Sequence, residues 1–318
     1  MDKRRLGRSD LFVSPICFGG NVFGWTADEA RSHELLDAFI DRGASFIDTA
    51  DVYSRWVQGN SGGDSEAIIG RWLKRRGGRD KLIIATKVGM DMGDGKVGLA
   101  PAYIRRAVED SLRRLQTDHI DLYQSHTDDP ATPLEATLEA YARLIEEGKV
   151  RFIGASNYSA ERLAAALDLA EKDGYPRYQT IQPEYSLYCR ASYEAELQPL
   201  AVEREISCIS YFSLANGFLS GKYRSEKDLA QSKRGERAVG KYLNERGFRI
   251  LDALRQVAGE ATASMASVAL AWLMTRASVA APIASATSIA QVEDLIAAAR
   301  LTLSAEAVER LTEASNGG

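Results

Sequence analysis

The chain has 318 residues with 45% apolar content, enough to bury a large core, and it shows neither a fibrous repeat nor the polar bias of a disordered chain. A net charge of −4 arises from acidic and basic residues interspersed along the sequence, which leaves no footprint for nucleic acid. The cysteines, Cys17, Cys189 and Cys208, are odd in number and lack metal-type spacing, which argues against a disulfide framework and against a metal site.

The opening MDKRRLGRSDLF carries charge but no apolar stretch of signal-peptide or membrane length, so the expectation is a cytoplasmic protein without a membrane partner. Its Gly-Arg-Ser-Asp turn between short extended pieces predicts a β-hairpin. Short apolar runs then read as buried strands near 15–18, 44–48, 82–87, 120–124, 150–155, 179–182, 206–212 and 279–283. Helical stretches separate them, one after Pro101 and others near 28–41, 64–76, 134–147, 159–172, 192–204, 246–275 (two helices) and 288–299. The helix after Pro101 is the clearest, because Ile104, Val108, Leu112 and Leu115 fall on one face and proline at a helix start costs no hydrogen bond. From 213 to 245 helical periodicity gives way to glycine, serine and charge; a loop this long is functional or else disordered. A last amphipathic helix spans 303–314, beginning at Ser304.

Eight strands each followed by helix predict an α/β fold: a closed (β/α)8 TIM barrel with an N-terminal β-hairpin and additional C-terminal helices, forming one domain over 1–318. An open doubly wound sheet would need a G-x-G-x-x-G turn after a strand, and GGNVFG does not match it.

Four polar residues sit in or just after these runs: Asp48 and Tyr53 in SFIDTADVY, Lys87 in KLIIATKVG and His126 in HIDLYQSHTDD. Singly, each has a structural reading: a turn cap, a half-buried aromatic, a solvated strand end, a core histidine. Jointly they would gather at one barrel rim, where catalytic groups from distant parts of a chain converge. A phenol with a pKa of about 10 is a poor acid at neutral pH, and a neighbouring ammonium would lower that value. Lys87 would then need an anionic partner, which Asp48 supplies, and a neutral His126 would hold the substrate oxygen.

The ordered set of motifs resembles the aldo-keto reductase family over nearly the whole chain. GASFIDTADVYS is similar to the family segment holding the catalytic Asp and Tyr, here Asp48 and Tyr53; IIATKVG to that with the catalytic Lys, here Lys87; and IDLYQSHTDDP to that with the His, here His126. GKVRFIGASNYS, IQPEYSLYCR and ISYFSLANGFLSGKY resemble its cofactor motifs. The resemblance implies NAD(P)H-dependent interconversion of aldehydes or ketones with alcohols. Ser156, Asn157 and Gln182 would hold the carboxamide and Tyr211 would stack on the nicotinamide, although a helix cap and simple packing are the bland readings. Ser213, Leu214 and Gly217 would meet the pyrophosphate, with Lys222 as a charge partner, and the loop beyond would act as a lid.

PIASATSIAQVEDL is similar to the segment for the adenosine end, with a departure: Thr287 stands where members of this branch often carry the Arg that pairs with the 2′-phosphate. Ser285, Thr287 and Ser288 could bind phosphate at the start of the final helix, with Gln291 and Asp294 at the adenine. NADP(H) therefore stays ahead of NAD(H), narrowly. Phe23, Trp25 and Trp56 are the expected substrate walls, with Asp128 and Asp129 disfavouring acidic substrates. The oligomeric state is not legible. Two alternatives remain open: a cofactor-binding regulatory subunit like the potassium-channel β-subunits, and a barrel isomerase or aldolase using Lys87 as a Schiff base.

Overall fold

Buried apolar runs with no room for polar alternation belong in a parallel sheet covered on both faces, and that is how this chain uses them. The computed structural model describes residues 1–232 and 235–317, so Lys233 and Arg234 of the 213–245 loop and Gly318 of the expected 1–318 domain lie outside the described residues. A two-stranded antiparallel hairpin, β1 (Arg4–Arg5) and β2 (Phe12–Val13), precedes the barrel. The barrel strands are β3 (Cys17–Gly19), β4 (Phe46–Asp48), β5 (Ile83–Val88), β6 (Ile120–Ser125), β7 (Val150–Ser156), β8 (Tyr178–Gln182), β9 (Ser207–Cys208) and β10 (Ile283–Ala284). All pair in parallel in chain order, with β10 returning to β3. A bridge between Cys208 and Val279, with Ala280 donating to the Cys208 carbonyl and Ile283 to that of Ser210, closes the ring on the other side.

The helices are α1 (Glu29–Asp41), α2 (Asp64–Arg76), α3 (Pro101–Leu115), α4 (Leu134–Glu146), α5 (Ala160–Asp173), α6 (Gln198–Glu203), α7 (Glu245–Ala261), α8 (Met265–Met274), α9 (Ile289–Ala298) and α10 (Ala305–Ala314). Side chains of Asp28, Ser159, Asn244, Ser264, Ser288 and Ser304 accept a backbone N–H in the first turn and so fix where six of these begin. Gly70 lets α2 lie directly on α3, since a Cβ there would sit 2.0 Å from the Arg114 carbonyl oxygen.

Three expectations need correction. The 192–204 helix starts as a π-turn over Tyr193–Leu197, because Pro199 has no N–H to donate to the preceding turn. The seventh and eighth strands are shorter than read: Phe212 already has a left-handed φ of 49°, and Pro282 cannot join a ladder as donor. The 213–245 loop carries short helical turns at Ala215–Ser220, Glu226–Gln231, Gly235–Val239 and Gly240–Tyr242. No single described helix is long and apolar enough to cross a membrane; α7 and α8 reach that length only together, across a 94° bend.

Candidate active site

Parallel strands carry their carboxyl ends to one rim, so Asp48 at the end of β4, Lys87 on β5 with its register partner Gln124 on β6, and Gln182 at the end of β8 converge there. Lys87 is fully buried, and its ammonium donates to Asp48 Oδ2 at 2.6 Å, to the Thr49 carbonyl at 2.8 Å and to Tyr53 Oη at 2.9 Å. Three acceptors satisfy its three protons. The other carboxylate oxygen, Asp48 Oδ1, accepts from Gln124 Nε2 at 3.2 Å and Gln182 Nε2 at 3.0 Å. Tyr53 comes from the turn after β4, and its ring stands edge-on to His126 with centroids 5.9 Å apart. The structure thus brings the four expected residues together.

Electrostatics follow from that enclosure. Burial pulls the Lys87 ammonium down, but Asp48 and Tyr53 outweigh it and hold its pKa above the ordinary lysine value. Burial drives His126 well below the ordinary histidine range, with Lys87 acting the same way, so its ring is neutral. Its Nδ1 is enclosed and has no hydrogen-bond partner among the described residues. Tyr53 departs from the expectation: burial pushes its phenol up to about 12, although Lys87 pulls against that rise. The ammonium limits the cost of the phenolate without making the resting phenol acidic.

The rim opens into a cavity of about 630 Å³, within the range of small-molecule sites. Asp48, Tyr53 and His126 line one end, and Ser156, Asn157, Gln182, Tyr211, Ser213, Leu214, Gly217, Lys222, Ser285, Thr287, Gln291 and Asp294 all line the rest. Ser156 Oγ donates to the Gln182 carbonyl at 2.8 Å, and Asn157 Oδ1 accepts from Tyr211 Oη at 2.9 Å. Ser213 Oγ is turned to the Ser210 carbonyl at 2.9 Å. Ala215, Asn216 and Gly217 are all left-handed, the last with a φ of 93°, and Asn216 and Gly217 lie on the wall. Thr287 is exposed; its amide and hydroxyl point to Gln291 Oε1 at 2.7 and 3.2 Å, and its carbonyl accepts from Arg31 Nε at 3.1 Å.

The expected walls divide. Trp56 lines the cavity and is 41% exposed. Trp25 supports it edge-on, with centroids 5.7 Å apart, but stays outside the lining. Phe23 is fully buried, stacked on Phe18 at 5.5 Å, so it belongs to the core rather than the wall. Asp128 and Asp129 do not project free charge: Asp128 accepts from Arg162 at 2.8 Å, and Asp129 accepts from the Leu99 amide and from Thr132, each at 2.7 Å. Sequence reasoning missed Asn21, Met90, Thr127 and Phe212 on the lining, and Gln124 behind it. Gln124 had a signal, a buried amide inside the apolar run IDLYQS; the loop residues had none.

The model of the aldo/keto reductase family matches residues 15–316. The chain is 36% identical to an uncharacterized oxidoreductase, YrpG, of Bacillus subtilis, over 98% of this chain and 95% of the relative. It is 30% identical to the aldo-keto reductase yakc, named for NADP(+), of Schizosaccharomyces pombe, over 94% of this chain and 86% of the relative. A probable voltage-gated potassium channel subunit beta of Arabidopsis thaliana is 29% identical over 92% of this chain and 90% of its own length.

Proposed function

The chain belongs to the aldo/keto reductase family of oxidoreductases, and we propose that it reduces aldehydes or ketones to alcohols, reversibly, with Tyr53 as the general acid. The observation that carries this reading is the position of Lys87 Nζ, 2.6 Å from Asp48 Oδ2 and 2.9 Å from Tyr53 Oη, behind the stretch of cavity wall those two residues form. When bound, a nicotinamide dinucleotide supplies the hydride that none of the four residues can deliver.

The residues present fit that group. Amides and hydroxyls of Ser156, Asn157 and Gln182 match a carboxamide that needs both donors and acceptors, and Tyr211 offers a flat face beside them. Ser213 and Leu214, with Gly217 allowing close backbone approach and the Lys222 ammonium beside it, suit a pyrophosphate. The amino terminus of α9, with Ser285, Thr287, Gln291 and Asp294, suits the adenosine end. NADP(H) stays ahead of NAD(H), in keeping with the cofactor in the yeast relative's name.

The acid step depends on charge developing on the substrate oxygen. As that oxygen gains charge, Tyr53 hands over its proton, and the phenolate left behind faces an ammonium already 2.9 Å away. His126, kept neutral, can carry its proton on Nε2 and donate to the same oxygen. Trp56 flanks Tyr53 with ring centroids 6.2 Å apart and favours substrates with an apolar or planar face.

A regulatory role like that named for the plant channel subunit is the second reading, supported by that likeness alone. It predicts dinucleotide binding with negligible turnover. The test is a parallel fluorescence titration with NADPH and NADH, followed by the loss of nicotinamide absorbance on adding aldehydes and ketones. Binding with turnover upholds the first reading, binding without turnover the second, and no binding of either dinucleotide removes both.

A further inference from the structure

The turn that carries Tyr53 buries a second carboxyl that the chemistry above does not use. Asp51 is 2% exposed, its amide donates to the Lys87 carbonyl at 3.3 Å, and its Oδ1 has no hydrogen-bond partner among the described residues. Arg114, the cation with the larger pull on it, is already taken. Arg114 Nε donates to Glu66 Oε2 at 2.6 Å and its Nη2 to Ser111 at 3.3 Å, while Thr86 donates to Glu66 Oε1 at 2.6 Å. Gly70 presses α2 and α3 together, so this pairing is held in place. The charged and titratable groups acting on Asp51 are Glu66 on α2, Arg114 and Tyr103 on α3, Lys87 on β5, Tyr123 on β6 and Tyr141 on α4. Two carboxyls thus compete for one arginine, and Glu66 has it.

We propose that Asp51 is a positioning residue whose charge sets how readily Tyr53 gives up its proton, acting through Lys87; the inference rests on the reduction proposed above. Uncharged, Asp51 leaves the field of the ammonium to Asp48 and Tyr53. Ionised, it adds a second negative charge that the Lys87 ammonium attracts, so that ammonium stabilises a phenolate less, and Tyr53 becomes the weaker acid. The change falls in an accessible range: burial, and next the Glu66 carboxylate, push Asp51 up to about 8. A carboxyl raised in the folded state stabilises the fold while it is neutral. That contribution is complete below the ordinary carboxyl pKa and is lost as pH rises through about 8.

The experiment measures kcat/KM for reduction of an aromatic aldehyde between about pH 6 and about pH 10 in the unmutated protein, Asp51→Asn and Glu66→Gln, with thermal melts over the same range and at lower pH. In the unmutated protein kcat/KM falls about three- to tenfold across a break near pH 8. Asp51→Asn, neutral at every pH, lacks that break, and its melting temperature rises relative to the unmutated protein as pH increases. Glu66→Gln frees Arg114 for Asp51 and moves the break to lower pH, an effect that lost packing would not produce. A break that persists unmoved in Asp51→Asn overturns the inference and leaves the reductase reading standing. No carbonyl reduction by the unmutated protein at any pH overturns both.

Discussion

At the Tyr53 end of the cavity the polar side chains come from separate barrel strands and satisfy one another, whereas between Thr287 and Gln291 they come from the entrance to one helix and satisfy that same short segment. Asp48 accepts from residues on β5, β6 and β8, so moving any one of them disturbs the rest. Thr287 and Ser288 instead bond to Gln291, three or four residues along the same chain segment. The first arrangement fixes a geometry over long sequence distances. The second leaves exposed groups that a ligand can recruit at little structural cost. The difference separates what must be preorganised for proton transfer from what need only bind.

The sharpest way to break this comparison is Tyr53→Phe. It removes the proposed proton donor and keeps the ring that packs against Trp56 and His126. Carbonyl reduction should fall by about 10²- to 10⁴-fold, with NADPH affinity changed less than about twofold if the two ends are independent. Steady-state kinetics and fluorescence titration on the same preparation check both halves. Full turnover in this variant would overturn the assignment of the acid.

The asymmetry also explains what was legible before the structure. A charged residue inside an apolar run stands out: Lys87 in IIATKVG has no reason to be buried unless something pays for its charge, and Asp48 in SFIDTA offers the partner. The barrel itself was readable because its helices keep their period and start at recognisable caps such as Asp28 and Ser159. Phe23 was misread because distance along the chain from a strand end does not say which way a loop side chain turns. Phe212 was missed because a bulky aromatic in the left-handed region carries no local signature. The direction of the Tyr53 shift was missed for a different reason, since the balance of burial against Lys87 depends on enclosure that no motif encodes.

At the other end the expected effects are smaller, and Thr287→Arg addresses the cofactor directly. An arginine there would place a guanidinium within reach of a 2′-phosphate and should tighten NADPH about tenfold, leaving NADH nearly unchanged. Affinity ratios from parallel titrations measure it. An unchanged ratio would mean that a side chain at 287 does not engage the 2′-phosphate.

The smallest change separates binding from architecture at that same helix start. Ser288 Oγ accepts from the Gln291 amide at 3.3 Å and caps α9, so Ser288→Ala removes one cap and should cost about 1 kcal/mol of stability in chemical denaturation. Because the helix continues to be held by Val292, Leu295 and Ile296 in the core, its first turn would fray without dissolving the helix. Dinucleotide binding should then weaken by about the same free energy as the cap contributes, while turnover at saturating dinucleotide stays unchanged, since no residue bonded to Lys87 or Asp48 has moved. A fall in saturated turnover would mean that the two ends are mechanically coupled, and the independence argued from their separate bonding would not hold.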